Sequence, residues 1–173
     1  GIILSSDGYI LTNYHVIEGA DQLKVNAGGE EYIAQVVGTD ESSDLAVLKI
    51  DASGLTAIEI GSSSDLTVGE WVMAVGSPFG LEQSVSTGIV SATSRTTSAL
   101  NDSSSGSSAV YTNMIQTDAA INPGNSGGAL VDKDGKLIGV NTLIASSSGS
   151  SSGVGFAIPV DYAMNIAQQI IDG

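Results

Sequence analysis

The chain has 173 residues, of which 19 are acidic and 5 are basic, so its net charge is −14. Such an acidic surface repels polyanions, which argues against nucleic acid or an anionic membrane surface as a partner. Cysteine is absent and histidine occurs once, so disulfides, thiolate metal sites and His-rich metal sites are excluded. The 22 glycines and the short apolar runs are typical of many strands joined by tight turns.

No targeting or membrane segment is evident in this sequence. The apolar runs are far shorter than the ~20 residues that cross a bilayer. The chain starts at Gly1 without a signal peptide. We therefore expect any targeting segment of the protein to lie outside this chain.

Short apolar strands separated by turn residues fill the first half of the chain. The predicted strands cover residues 1–4, 9–12, 22–26, 32–37 and 45–50. The first two pairs flank Ser5–Gly8 and Gly28-Gly29, which are turn sequences, so each pair predicts a hairpin. The last strand is an almost continuous apolar run, which is typical of a strand covered on both faces, as in a closed barrel.

The second half of the chain repeats this style and ends in a helix. Strands are predicted at residues 71–76, 84–92, 113–116, 128–131, 137–142 and 155–158. Two clusters of about six strands predict two small β-barrels, over about residues 1–55 and 70–160. After Pro159, apolar residues on one face predict a terminal helix over residues 161–172, with Asp161 as its N-cap.

Two stretches in the second half are low in complexity. Residues 93–109 and 146–153 are rich in Ser, Thr and Gly. Neither stretch buries enough apolar surface to pack, so both are predicted to be mobile exposed loops.

The strongest chemical signal is the segment Asn122–Gly128, which reads NPGNSGG. A serine hydroxyl becomes a useful nucleophile when a base removes its proton and donors meet the developing oxyanion. Ser126 supplies the hydroxyl, and the glycines beside it allow a sharp turn. The N–H groups of Gly124, Asn125 and Ser126 would then form an oxyanion hole. A Gly-rich turn between two strands explains the heptapeptide equally well, so taken alone it leaves both interpretations open.

His15 and Asp44 would complete a catalytic triad. His15 follows an apolar strand and is the one side chain of this sequence that ordinarily titrates near neutral pH. Asp44 precedes a buried strand, where a carboxylate is costly unless a group such as a histidine N–H pairs it. Taken singly, a histidine with a backbone partner and an aspartate capping its own turn are the commoner explanations. With Ser126, however, the order is His, Asp, Ser, which is that of chymotrypsin and predicts a site between two barrels.

Several motifs resemble the protease domain of the HtrA (Deg) family. They are TNYHVI (12–17), SDLAVLKI (43–50), VGSPFGL (75–81), TGIVSA (87–92), IQTDAAINPGNSGGALV (115–131), LIGVNT (137–142) and GVGFAIPV (153–160). The resemblance implies one trypsin-like serine protease domain over residues 1–173, an all-β fold of two six-stranded β-barrels of the chymotrypsin/trypsin type with a C-terminal helix. It implies that His15 is the general base, Asp44 its orienter and Ser126 the nucleophile, with no metal or organic cofactor.

Substrate specificity is predicted from the region about six residues before Ser126, where chymotrypsin-like enzymes place the base of the pocket. The predicted pocket residues are Ala120, Ile121, Asn141, Thr142 and Leu143. None of them is a carboxylate, so cleavage after Lys or Arg is not expected. A small or medium aliphatic P1 residue, such as Val or Ala, is favoured.

These observations predict a serine endopeptidase that cleaves unfolded or damaged proteins through an acyl-enzyme, as in HtrA-like protein quality control. Two rivals are a protease-like module that binds unfolded chains without cutting them and a structural or adhesive β domain. The complete set of His15, Asp44 and Ser126 argues against both rivals, although a dual role in binding and cleavage stays open.

The resemblance also implies features that this chain does not contain. The strand that usually precedes Gly1 is missing, so the first barrel is expected to be incomplete at its start. The N-terminal segment that drives trimer formation in relatives is missing as well, and no PDZ domain follows Gly173. For the full-length protein we expect a downstream PDZ domain, a location outside the cytoplasm in a bacterial envelope, and a homotrimer and an N-terminal membrane anchor as options. The family's regulatory and activation loops match residues 77–82, 93–109, 118–125 and 145–153.

Overall fold

The computed structural model describes residues 1–76, 84–98, 110–121, 124–142 and 155–173. The N-terminal elements are β1 (Ile2–Ile3), β2 (Tyr9–Asn13), α1 (Tyr14–Ile17), β3 (Leu23–Ala27), β4 (Glu30–Asp40) and β5 (Leu45–Lys49). The C-terminal elements are β6 (Trp71–Gly76), β7 (Ser84–Ser98), β8 (Val110–Thr117), β9 (Ala129–Val131), β10 (Leu137–Thr142), β11 (Gly155–Pro159) and α2 (Val160–Asp172). In the described part of the chain, no helix is long and apolar enough to cross a membrane.

The N-terminal sheet has the strand order β1-β2-β5-β4-β3, and all neighbouring strands are antiparallel. Both predicted hairpins are present: Ile2 pairs with Leu11, and β3 turns into β4 through Gly28-Gly29. These glycines have φ values of 61° and 84°, and two positive φ angles match the twist of a two-residue hairpin loop. The central strand β5 is buried throughout Leu45–Leu48, as its continuous apolar run predicts.

The C-terminal strands form a closed barrel with the order β10-β11-β8-β7-β6-β9. Branched and small apolar side chains fill one buried cluster within it: Val72, Ala74, Val90, Ile115, Ala119, Ile121, Leu130, Ile138 and Ala157. Closure leaves no free sheet edge, so each strand of the barrel has paired neighbours on both sides. The turns at the strand ends are therefore carried by a rigid frame.

The predicted all-β class with a C-terminal helix is confirmed, with one difference in the first half. In the described residues the N-terminal sheet is open and has five strands, whereas a closed barrel would have six. The edge strand β1 is only two residues long, and the other edge strand, β3, pairs with β4 alone. The two edges do not join in the described residues, and a barrel that is incomplete at its start stays a prediction.

An apolar cluster joins the two halves of the molecule to α2. Its buried members are Ile2, Leu11, Leu45, Val47, Met114, Ala129, Val131, Leu137, Val140, Ile158, Val160, Ala163 and Ala167. Burial of apolar surface contributes about 25 cal/mol per Å², so this cluster determines how the sheet and the barrel sit against each other. Ala163 and Ala167 have no exposed surface, and their small side chains allow α2 to approach both halves closely.

The start of α2 differs from the predicted one. The helix begins at Val160, Pro159 occupies the N-cap position, and Asp161 lies in the first turn, so the prediction of Asp161 as N-cap is wrong. Its carboxylate accepts hydrogen bonds from the backbone N–H groups of Ser63 (3.4 Å) and Ser64 (3.2 Å), and its own N–H donates to Ser63 Oγ at 3.1 Å. These hydrogen bonds connect α2 to the segment between the two halves. The N-cap position is already taken by Pro159, the last residue of β11.

The predicted loop over residues 93–109 begins later than expected. Strand β7 continues to Ser98, and its backbone pairs with β8 at Thr97↔Tyr111 and Ser98↔Val110. Threonine is branched at Cβ and favours extended backbone, which explains why a Thr-rich stretch extends the strand. Residues 99–109, and the second predicted loop over 146–153, lie outside the described residues.

Overpacking tests the close contact between α2 and the two halves. We expect Ala167→Leu to lower the free energy of unfolding by about 1–3 kcal/mol, because added methylenes have no space in a packed core. The same change on the exposed face, Gln168→Leu, should leave it nearly unchanged. Thermal and urea unfolding followed by circular dichroism measure both variants. Equal stability of the two variants would contradict the described packing.

Candidate active site

His15 lies where β2 gives way to the single turn of α1. The helical turn is anchored by Ile17, which packs into a buried N-terminal cluster with Ile10, Ala46 and Leu48. The His15 side chain remains 37% exposed. His15 is therefore carried by a buried anchor while its ring stays accessible to solvent.

Asp44 occupies the turn that leads from β4 into β5. It is the one non-glycine with a positive φ (57°) in the described residues, a conformation that costs an L-residue about 1–2 kcal/mol. Its carbonyl accepts the N–H of Tyr14 at 3.0 Å, and its own N–H donates to the carbonyl of Glu41 at 3.2 Å. This backbone strain is maintained because the turn aims the Asp44 carboxylate at His15.

Asp40, at the other end of the same turn, behaves as an ordinary turn aspartate. It accepts hydrogen bonds from the Ser42 N–H (3.2 Å) and the Ser42 hydroxyl (2.7 Å). Partial burial raises the pKa of the Asp40 carboxyl, but the hydrogen bonds from Ser42 and Ser43 outweigh burial and hold that pKa below its ordinary value. Asp40 thus caps its own turn, whereas the carboxylate of Asp44 leaves the turn and contacts His15 of α1.

The structure brings His15, Asp44 and Ser126 together. His15 Nδ1 lies 2.5 Å from Asp44 Oδ2, and the His15 backbone N–H donates to Asp44 Oδ1 at 2.9 Å. On the other side of the ring, Nε2 lies 3.1 Å from Ser126 Oγ. The side chain of Asp44 is only 6% exposed, so its charge is buried against a partner that contacts both oxygens. The chain of contacts is the order nucleophile, base, orienter that acyl transfer requires.

Ser126 lies in a turn that is bonded to the end of β10. The Gly127 N–H donates to the Asn141 carbonyl at 2.8 Å, and the Asn141 N–H donates to the Gly128 carbonyl at 2.9 Å. Within the turn, the Gly128 N–H donates to the Asn125 carbonyl at 3.0 Å. These three bonds fix the direction in which the Ser126 side chain leaves the barrel.

Gly127 allows this turn to touch the N-terminal sheet. Its φ is +81°, and a Cβ there would lie 2.5 Å from Thr12 Oγ1 and 3.3 Å from the Asn13 nitrogen. No side chain fits between the two backbones. Glycine is therefore required by the contact as well as by the dihedral angle, and this contact sets the separation of Ser126 from His15.

The predicted oxyanion-hole residues Gly124, Asn125 and Ser126 belong to one turn in the structure. Asn125 is buried, and its Nδ2 donates to the carbonyl of Ala120 at 2.8 Å. A Cβ on Gly76, at the end of β6, would collide with Asn125, so the turn packs directly on the barrel. The role of these three N–H groups as oxyanion donors stays a prediction.

The predicted pocket residues have different surroundings. Ala120 is exposed, and its carbonyl also accepts the Ser86 hydroxyl at 2.8 Å. Ile121 is buried in the barrel cluster, where a Cβ on Gly155 would collide with it. Their place in a P1 pocket stays a prediction.

The other predicted pocket residues follow β10 toward its end. Asn141 has no exposed surface and donates from Nδ2 to the Ala129 carbonyl at 3.1 Å. Thr142 is also buried, and its hydroxyl lies within hydrogen-bonding distance of the Val140 carbonyl. Leu143 lies outside the described residues, as do most of the residues matched to the family's regulatory loops.

Tyr14, next to the candidate base, adds no charge to the site near neutral pH. The carboxylate of Glu18 raises the pKa of the Tyr14 phenol above its ordinary value, and slight desolvation and Glu41 act in the same direction. The phenol therefore stays protonated where a serine protease works. Its backbone N–H, bonded to Asp44, is its contribution to the site.

Asn13 is a polar residue of the site that sequence reasoning missed. It has no exposed surface and lies at the end of β2, two residues before His15. Its side chain contacts Asp44, Thr142 and Ser126. The available signal was a lone amide at the end of an apolar strand inside the motif 12–17, where asparagine would ordinarily be read as a helix cap.

A pair of glycines with similar dihedral angles tests the contact at Gly127. Gly127 and Gly135 have φ of 81° and 78°, but a Cβ at Gly135 has no atom within 4 Å. We expect Gly127→Ala and Gly135→Ala to share a backbone cost of about 1–2 kcal/mol, measured by urea unfolding. Only Gly127→Ala should also displace Ser126 and reduce its labelling by a fluorophosphonate. Equal labelling of both folded variants would refute the role assigned to this contact.

Comparison with known proteins shows the family to which the chain belongs. The family model described as a trypsin-like peptidase domain matches residues 1–140. The chain is 52% identical over 171 residues to a probable periplasmic serine endoprotease, DegP-like, from Halomonas elongata, with 98% of this chain and 34% of the relative covered. A protein of the same description from Hahella chejuensis is 49% identical over 173 residues, with coverages of 99% and 35%. The chain thus spans about a third of the length of the curated relatives it matches.

Solved structures show the same similarity. The HtrA-type protease AlgW with a decapeptide has a TM-score of 0.85 and 52% identity, covering 98% of this chain and 50% of that one. The serine endoprotease from Yersinia pestis has a TM-score of 0.82 and 43% identity, covering 99% and 57%. The resemblance stated from the sequence motifs is therefore confirmed, and the chain belongs to the trypsin-like peptidase family, within which it is of the HtrA (Deg) type.

Proposed function

We propose that this domain, residues 1–173, is a serine endopeptidase in which Ser126 is the nucleophile, His15 the general base and Asp44 the orienting carboxylate. The observation that carries the proposal is the continuous contact from Ser126 Oγ through the His15 ring to the Asp44 carboxylate, at 3.1 and 2.5 Å. The first distance is within the reach of proton transfer from a nucleophile to its base, and the second is a hydrogen bond through which the carboxylate orients that base. The names of the DegP-like relatives support the same activity.

The proposed reaction has two steps. Ser126 Oγ attacks the scissile carbonyl and its proton passes to His15 Nε2, which then protonates the leaving amine as the peptide C–N bond breaks. Water next gives a proton to His15 and attacks the acyl carbonyl, and the ester to Ser126 breaks as the serine recovers a proton from His15. The products are a free amine and a free carboxylic acid, so the reaction is redox-neutral, and in the proposed sequence Ser126 supplies the nucleophile and His15 the base.

Asp44 stabilises the imidazolium that forms in both steps. Its carboxylate is almost completely buried and contacts His15 at Nδ1 and at the backbone N–H. A buried charge is strongly favoured to have a cationic partner, so proton uptake by His15 turns a charge–dipole contact into an ion pair. The same contact keeps Nε2 available to accept the serine proton. We propose Gly124, Asn125 and Ser126 N–H groups as the donors to the oxyanion.

The proposed substrates are unfolded or damaged proteins, with a small or medium aliphatic residue at P1. No carboxylate occurs among the residues proposed for the pocket, Ala120, Ile121, Asn141, Thr142 and Leu143. A cationic P1 side chain would therefore lose water without gaining an ion pair. Aliphatic side chains are mostly buried in folded proteins, so a preference for them at P1 supports unfolded chains as the substrate class.

We also propose a place and partners for the full-length protein. The DegP-like relatives are named periplasmic, which supports a location outside the cytoplasm. A membrane anchor before residue 1 and a PDZ domain after residue 173 are further proposals. A homotrimer is also a proposal, and one surface for a protein contact is offered by β6 and β7, where the paired side chains of Trp71 and Ile89 are 43% and 42% exposed. Exposed large apolar side chains of this kind favour contact with another protein surface.

Removal of the hydroxyl tests the proposed nucleophile. Ser126→Ala should reduce turnover of unfolded casein by roughly 10⁶-fold if the three residues act as a unit. It should also abolish labelling by a fluorophosphonate, whereas exposed Ser6→Ala should label as the unchanged protein does. A loss smaller than tenfold would overturn the assignment. A folded protein that binds unfolded casein but is never labelled would instead indicate a binding module.

A pair of peptides tests the proposed pocket. Two otherwise identical unfolded peptides carry Val or Lys at the expected P1 position, and mass spectrometry locates the cuts. We expect kcat/KM to be at least about 100-fold higher for Val, since burying an unpaired ammonium costs several kcal/mol. Preferred cleavage after Lys would show that the pocket contains an acidic group outside the residues proposed for it.

A further inference from the structure

Asn13 occupies the N-cap position of α1 without capping it. Asparagine is among the preferred N-cap residues because its side chain accepts a backbone N–H of the first turn. Here the backbone of Asn13 is extended (φ −82°, ψ 146°), yet its side chain makes no cap hydrogen bond. The amide points across to the barrel instead, and it is completely buried. A buried amide turned away from its local partner has a different structural task.

The orientation of the Asn13 amide follows from its partners. One end lies 3.0 Å from the Asp44 carbonyl oxygen, which only accepts hydrogen bonds, so this end is the NH₂ group, Nδ2. Nδ2 also donates to Thr142 Oγ1 at 3.3 Å. The oxygen Oδ1 therefore faces Ser126 and accepts its hydroxyl at 3.2 Å. A single side chain thus contacts the candidate nucleophile, the turn of the orienting carboxylate and the end of β10.

The Ser126 oxygen is consequently held from two sides. His15 Nε2 lies at 3.1 Å and Asn13 Oδ1 at 3.2 Å, and both are within reach of the one hydroxyl proton. Serine otherwise has three staggered χ1 positions. With the ring N–H on Nδ1 toward Asp44, Nε2 and Asn13 Oδ1 both accept, so the one proton bonds to one of them at a time. In either bond Oγ keeps the same position beside the candidate base. The close approach of the backbones at Gly127 is what brings Asn13 within reach of Ser126.

We propose that Asn13 is a positioning residue for the nucleophile: its Oδ1 holds the Ser126 hydroxyl beside His15 in the free enzyme, while its Nδ2 fixes the amide on Asp44 and Thr142. The proposal rests on the proposed serine endopeptidase function. Asn13 takes no proton in the reaction. When Ser126 attacks, the hydroxyl proton passes to His15 Nε2. Ser126 Oγ then has no proton to donate, so its hydrogen bond to Asn13 Oδ1 is lost.

This role predicts which catalytic step depends on Asn13. In acylation the free hydroxyl must already lie beside the base, so loss of Oδ1 slows this step. In the acyl-enzyme the Ser126 oxygen is bonded to the acyl group, which itself holds the oxygen in place, and the attacking group is water. Deacylation should therefore depend little on Asn13. The Asp44 carbonyl keeps the N–H of Tyr14, so its turn is still bonded in a variant of Asn13.

A burst experiment with a chromogenic ester separates the two steps. The rapid phase reports acylation, the steady phase reports deacylation, and the burst amplitude counts reactive sites. For Asn13→Ala we expect acylation to be about 10- to 100-fold slower, as small misplacements of reacting atoms cost rates of this size. We expect the deacylation rate constant to change by less than about threefold. The same limit applies to the dissociation constant of the ester, which is KM corrected for the ratio of the two rate constants. Asn13→Ser, with a polar group too short for all three contacts, provides a second variant if Asn13→Ala does not fold.

The matched control is Leu66→Ala, a change in the segment between the two halves that lowers stability. Leu66 is partly buried against the barrel cluster and belongs neither to the Ser126 turn nor to the elements that carry His15 and Asp44. A merely structural role of Asn13 would lower the burst amplitude, as in the control, and leave both rates per reactive site unchanged. That result, or an equal loss in both steps, would overturn the proposal. Absence of both fluorophosphonate labelling and ester hydrolysis in the unchanged protein would instead refute the proposed function itself.

Discussion

The close approach of the Ser126 turn to the end of β2 is the constraint on which the rest of the site depends. The candidate nucleophile belongs to the barrel, whereas His15 and Asp44 belong to the open sheet, so no local structure places them together. The two backbones meet at Gly127, where any Cβ would strike Thr12. Because Gly127 has no side chain, the two backbones approach closely enough for His15 Nε2 and Ser126 Oγ, 111 residues apart in sequence, to lie 3.1 Å from each other.

This contact is stable because apolar packing around it determines the arrangement of the two halves. The cluster that joins β2 and β5 to β9, β10 and β11 is buried on one side of the site, and α2 covers it with two alanines. Asp161 adds a polar tie between α2 and the segment that links the halves. The distance between Ser126 Oγ and His15 Nε2 is thus an outcome of packing elsewhere in the molecule, and errors in that packing reach the candidate site as displacements.

The sequence allowed the class of fold, most strands and the grouping of His15, Asp44 and Ser126 to be predicted, because alternation, turn residues and motif order are local signals. Other features depend on distant partners. The positive φ of Asp44 follows from bonds to Tyr14 and Glu41, and the extension of β7 follows from pairing with β8. The contacts of Asp161 and Asn13 were missed for a shared reason. Asp161 was predicted as a helix N-cap and Asn13 was given no role, because the sequence around each residue shows only local partners and both side chains bond across the fold.

The polar groups buried between the sheet and the barrel indicate that the candidate site lowers the stability of the fold. Asn13, Asp44, Asn141 and Thr142 are all buried beside an apolar cluster, where unpaired polar groups are unfavourable. Within the described residues, Asn141 Oδ1 has no hydrogen-bond partner, and Asp44 holds a strained backbone. A fold selected for stability alone would place apolar side chains here. Their retention is explained when the orientation of Ser126 and His15, rather than stability, is the property that this interface maintains.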